Sequence, residues 1–138
     1  MSYLLDTNVI SELRKGERAD AHVAAWFASV AEEEIFLSVL TIGEIGRGIE
    51  SVRRRDPDSA AALDRWLALL GEAYGDRILP IDRSITEEWG RMNVPDPLPV
   101  VDGLLAATAR VTGLTLVTRN VADVAGAEVV LLNPFAES

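Results

Sequence analysis

The sequence predicts an α/β protein, a three-layer α/β/α sandwich with a mostly parallel central sheet. Three observations carry that expectation. Short apolar runs alternate with longer amphipathic ones along the chain. The short runs are continuously apolar rather than alternating, as in strands covered on both faces. Polar residues also follow directly on two of those runs, where open parallel sheets place their sites.

The elements follow in order. "YLL" (3–5) reads as the first strand and 7–14 as the helix after it, then a helix over 20–31. "EIFLS" (34–38) is the second strand, followed by a helix over 40–54 in which Ile42, Ile45, Ile49 and Val52 share one arc at 100° per residue. Asp58 and Ser59, just after Pro57, are expected to cap a helix over 58–73. "RILPI" (77–81) is a strand, 83–92 and 99–112 are helices, and Gly113 stops the second of these. "LTLVT" (114–118), a short turn near 120–124 and the strand "EVVLL" (128–132) complete the chain. With no repeat or linker in its 138 residues, the whole of 1–138 is expected to be one domain.

Composition narrows the function. Hydrophobic residues make up 49% and charged residues 25%, the balance of a soluble globular protein. No apolar run approaches the roughly 18 residues needed to span a bilayer, so no membrane partner is expected. The start has no basic region before its apolar run and does not read as a secretory signal. Cysteine is absent, which removes thiolate chemistry and leans toward the cytoplasm. A net charge of −9 disfavours autonomous binding to nucleic acid, unless a cation stands between acid and phosphate.

The acids are the candidates for chemistry. Asp6 leaves the first strand directly, and as a residue type it suits a helix N-cap equally well. Glu44 lies at the edge of the apolar arc of its helix, where a boundary residue is the plain alternative. Asp102 is the only acid of a helix that is apolar nearly all round. Its place in the first turn gains about 0.3–1 kcal/mol, small against the several kcal/mol of burying an unpaired carboxylate. Asn120 follows the fourth strand, and Asp123 comes three residues later; a cap and a solvated surface acid are their plain readings. These positions can converge on one edge of a parallel sheet. Clustered carboxylates repel, which calls for a hard cation such as Mg²⁺ or Mn²⁺. Such ions can activate water for phosphodiester hydrolysis.

"LLDTNVISEL", "SVLTIGEIGRGI", "LPVVDGLLAATA", "LTLVTRNVADV" and "VVLLNPF", taken in order, resemble the motifs of PIN-domain ribonucleases, more narrowly the toxin half of VapBC toxin–antitoxin pairs. The resemblance runs from about Tyr3 to Phe135. It implies the α/β/α sandwich and a Mg²⁺-dependent endoribonuclease, with Mn²⁺ as the alternative ion. Family acids map onto Asp6, Glu44 and Asp102. Some members carry an acid where this chain has Asn120, so Asp123 is taken as the fourth ligand, with Asn120 and Thr7 orienting water or supporting the ligands. The resemblance also implies a homodimer, and a VapB-like antitoxin whose tail enters the acidic cleft. Contact with DNA would come only through that antitoxin.

Other residues and readings fit less well. "RRR" (53–55) suits the negative end of its helix, with a phosphate-contacting rim as the alternative. Trp26, Trp66 and Trp89 lie in amphipathic helices as core or interface residues, and His22 lies far from every motif. An aspartate-based phosphoacceptor or phosphatase would need a lysine near the later strands, yet Lys15 is the only lysine. A catalytically silent binding module of the same fold would be expected to have lost at least one of Asp6, Glu44 and Asp102.

Overall fold

A computed structural model describes residues 1–135. Five strands, β1 (Tyr3–Leu5), β2 (Ile35–Ser38), β3 (Ile78–Leu79), β4 (Thr115–Val117) and β5 (Leu131–Leu132), form one sheet in the order β3-β2-β1-β4-β5. Every pairing is parallel. β1 is therefore the middle strand, with Tyr3 opposite Ile35 on one side and Thr115 on the other. All strand ends that carry candidate residues point to the same edge.

Helices cover both faces. α1 (Thr7–Leu13), α2 (Ala21–Ala28), α3 (Val39–Arg53) and α4 (Pro57–Tyr74) pack on one side. α5 (Arg83–Met92), α6 (Val100–Thr112) and the short α7 (Val121–Val124) pack on the other. Successive strand residues point to opposite faces, and the cores divide accordingly. Leu5, Ile35, Leu37 and Val117 join Val9, Ile45 and Ile49 in the first core. Leu4 and Leu116 join Leu105, Ala106 and Ala109 in the second. The continuous apolar runs are thus buried on both faces, as expected.

Local chemistry explains the boundaries. α4 starts earlier than the sequence suggests: Asp56, not Asp58 or Ser59, is the cap, accepting from the Ser59 N–H at 3.1 Å and its hydroxyl at 2.6 Å. Pro57 then takes the first helical position, where its missing N–H costs nothing. Gly113 ends α6 at φ 73°, as expected of a C-terminal glycine. β3 stops before Pro80, which has no N–H for the ladder. β5 is confined to Leu131–Leu132, because Glu128 has φ 54° and ends a tight turn over 125–127.

The remaining sequence expectations fall on the framework. Arg53 bridges Glu50 and Asp64, and Arg55 donates to the Ser51 carbonyl, so these cations close α3. Trp26 meets the Tyr3 ring edge-on, with centroids 5.2 Å apart. His22 is exposed in the first turn of α2. Lys15, just beyond α1, pairs with Glu12 at 2.9 Å.

Candidate active site

Asp6 is the site's foundation. Its backbone N–H donates to the Val117 carbonyl at 2.9 Å, which extends the β1–β4 ladder by one residue. Its carboxylate caps α1, with Oδ1 accepting from the Thr7 N–H at 2.7 Å. The helix-cap reading of Asp6 is thus what its carboxylate does, and the same carboxylate lies beside the other candidate acids. Oδ2 accepts from the Thr118 hydroxyl at 2.8 Å and from Asn8 Nδ2 at 3.3 Å. Asp6 is nevertheless only 6% exposed. Burial pushes its carboxyl above the usual aspartate range, the hydrogen bonds oppose this, and the Glu44 charge adds to the rise.

Glu44 arrives from the next helix. Ser38 ends β2 and caps α3, accepting from the Leu40 N–H at 3.0 Å. Ile45 and Ile49 are buried in the core, which leaves Glu44 half-buried on the helix edge. The Thr7 hydroxyl donates to Glu44 Oε1 at 2.5 Å.

Asp102 lies in the first turn of α6, half-buried. The helix sits close against α5: a Cβ on Gly103 would come within 3.2 Å of the Trp89 ring. Burial raises the Asp102 carboxyl above the usual range, followed by the charges of Asp6, Asp123 and Glu44. All four acids thus share one electrostatic field. Asp123 is exposed on α7, and Asn120 occupies that helix's cap position without a side-chain capping bond. Asn120 instead donates its N–H to Thr118 Oγ1 at 3.0 Å.

Among the described residues, no ion pair includes Asp6, Glu44, Asp102 or Asp123. Nor does any group of three His, Cys, Asp or Glu stand arranged to hold a metal ion as it is. Asp6, Asp123 and Glu44 are near enough to Asp102 to raise its proton affinity, without forming a closed coordination shell among the described residues. Their chemistry fits a hard divalent cation: all the donors are carboxylate oxygens, and no thiolate or imidazole lies among them.

Asn8 and Thr118 were not singled out in the sequence, although each touches Asp6. Asn8 belongs to the same "DTN" as Asp6, and Thr118 is the polar residue that follows the apolar end of β4. Both offered a positional signal; neither offered a charge.

A family model for the PIN domain matches residues 3–122. The chain belongs to the PIN-domain family. This PIN domain is 30% identical over 140 residues to VapC ribonuclease Y4jK of Sinorhizobium fredii, covering 96% of both chains. It is 28% identical to toxin FitB of Neisseria gonorrhoeae over 137 residues, 96% of this chain and 97% of that one. The solved structure of FitAB bound to an IR36 DNA fragment superposes with a TM-score of 0.88 at 27% identity, covering 99% of this chain and 97% of that one.

Proposed function

We propose that the protein is a metal-dependent endoribonuclease and the toxin of a type II toxin–antitoxin pair. Asp6, Glu44, Asp102 and Asp123 hold Mg²⁺ or Mn²⁺. The observation that carries this reading is the field at Asp102, whose carboxyl is raised by the charges of Asp6, Asp123 and Glu44, while among the described residues no ion pair includes any of the four. The name of Y4jK supports RNA as the substrate, and that of FitB supports the role of toxin.

When bound, the ion supplies an activated water and neutralises charge on the leaving oxygen of a phosphodiester. The chain's own groups do the placing. Asp6 is fixed at the end of β1 by three hydrogen bonds. Glu44 is aimed by the Thr7 hydroxyl. Asp102 is held at the positive end of α6. A chain of net charge −9 repels RNA, and a divalent cation at the acids reverses that locally.

The same field suits the basic tail of an antitoxin, since an arginine among the acids would replace the ion's charge and exclude substrate. Beside Thr7 and Glu44, a groove walled by Ile45, Ile49, Leu63 and Trp66, with Arg14 over the Trp66 ring, offers apolar seats for the non-basic side chains of such a tail. A homodimer completes the proposal, with DNA reached only through the antitoxin. The exposed Val94, in the approach to α6, and Val100, its first residue, supply apolar surface for a second copy.

The deciding experiment is RNA cleavage by the purified protein with Mg²⁺, with Mn²⁺ and in excess EDTA. Cleavage that requires either ion is expected. Full activity in EDTA overturns the metal reading, and no cleavage with any divalent ion favours the silent binding module.

A further inference from the structure

One hydroxyl at this edge is fully committed. A threonine hydroxyl has one donor and two acceptor positions. At Thr118, which is 1% exposed, all three are engaged. Two partners, the Asn120 N–H at 3.0 Å and Asn8 Nδ2 at 3.4 Å, are donors, so the hydroxyl must accept from both. Its single proton is left for Asp6 Oδ2, at 2.8 Å. Asn8 is fixed in turn, because its Oδ1 accepts from the Arg119 N–H at 3.2 Å, which directs Nδ2 toward Asp6 and Thr118.

An ionised carboxylate has about four acceptor positions. At Asp6, Oδ2 spends two on Thr118 and Asn8, and Oδ1 spends one on the Thr7 N–H. The position left is on Oδ1. We propose that Thr118, assisted by Asn8, is a positioning residue that occupies Oδ2 of Asp6 and presents Oδ1 alone to the cation. This rests on the metal-dependent reading above. Thr118 also joins the first and fourth motifs: the same oxygen that donates to Asp6 receives the amide opening the turn that carries Asp123.

A purely structural Thr118 would affect folding and leave ion affinity in the folded protein unchanged. The test is calorimetric titration of the full chain with Mn²⁺ in the absence of RNA, with thermal melts reporting the fold. Thr118→Val keeps the shape and removes the hydroxyl; Thr118→Ser keeps the hydroxyl; Asn8→Ala removes the assisting donor at a half-buried position. Loss of such an outer partner weakens metal binding by roughly 10–100-fold. Thr118→Val is therefore expected to weaken Mn²⁺ binding by at least about tenfold and Asn8→Ala by several-fold, while Thr118→Ser stays within about threefold of wild type. Wild-type affinity in folded Thr118→Val overturns the proposal. If that variant does not fold, unchanged affinity in Asn8→Ala overturns it. A wild-type protein that binds no Mn²⁺ removes the metal reading itself, an outcome distinct from equal binding by wild type and variants.

Discussion

The Thr7 hydroxyl donates to Glu44 Oε1 at 2.5 Å, which ties the start of α1 to the second turn of α3. Both residues are half-buried, so the bond is only partly exposed to competition from water. It determines where the Glu44 carboxylate points. Thr7→Val should lower RNA cleavage about tenfold, the lower end of the loss typical when a ligand's partner is removed. Thr7→Ser should retain most activity. Melting should fall modestly, since one such hydrogen bond contributes on the order of 1 kcal/mol. Equal rates for the two variants would mean that Glu44 needs no support from Thr7.

Asp6→Asn and Asp102→Asn should each reduce cleavage at least 100-fold, about 2.7 kcal/mol of transition-state stabilisation. Both swaps preserve shape and remove charge. At position 6 the new amide also has to place its NH₂ toward one of three existing donors, so some loss of stability should accompany the loss of rate. At position 102 no hydrogen bond is broken among the described residues. A single-turnover assay at saturating Mg²⁺ checks both, and either variant retaining a tenth of wild-type rate is not missing an essential ligand.

Stability without metal should depend on pH through Asp102. Its carboxyl is raised in the folded state by burial and by the Asp6, Asp123 and Glu44 charges. The folded protein therefore binds more protons than the unfolded chain once pH exceeds the ordinary aspartate value of 3.8, and stability falls as pH rises through the raised folded value. Asp102→Asn lacks this contribution, whereas that of the raised Asp6 carboxyl is common to both proteins. In EDTA the variant should melt above wild type at pH 7, and the difference should disappear toward pH 3.8 and below. Other carboxylates cancel in this comparison to the extent that they do not sense position 102. Saturating Mg²⁺ should reverse the order at neutral pH, because only the wild type keeps its full set of charges for the ion.

The fourth position can be resolved by titration. Asp123 contributes to the field at Asp102, whereas Asn120 is neutral and its backbone N–H is already committed to Thr118. Asp123→Ala should raise the Mg²⁺ concentration for half-maximal cleavage several-fold, and Asn120→Ala less than twofold. The reverse order would make Asn120 the ligand.

Much of this was legible in the chain. Continuous apolar runs marked all five strands, because strands covered on both faces need no polar side. Asp6 and Asp102 stood out because a charge beside buried elements demands a partner. Glu44 was legible as an edge residue of its helix, and its contact with Thr7 was not, since nothing local fixes the approach of α1 to α3. The start of α4 differs from the sequence expectation because Pro57 is its first helical residue and Asp56 its cap. Asn8 and Thr118 escaped notice because their importance lies in hydrogen bonds across 110 residues of sequence, and an uncharged side chain advertises no such need.

The central place of β1 also has a consequence in time. An amide in a middle strand exchanges its hydrogen only when a large part of the fold opens, whereas edges fray independently. Leu4 and Leu5 are fully buried, and the Asp6 amide is bonded to Val117. The outermost strands, β3 and β5, are two residues each. Deuterium should therefore enter the rims long before it reaches Asp6, and partial loosening of the edges leaves the anchoring aspartate in register with Val117. The most exacting residue of the site is attached to the segment that comes apart last.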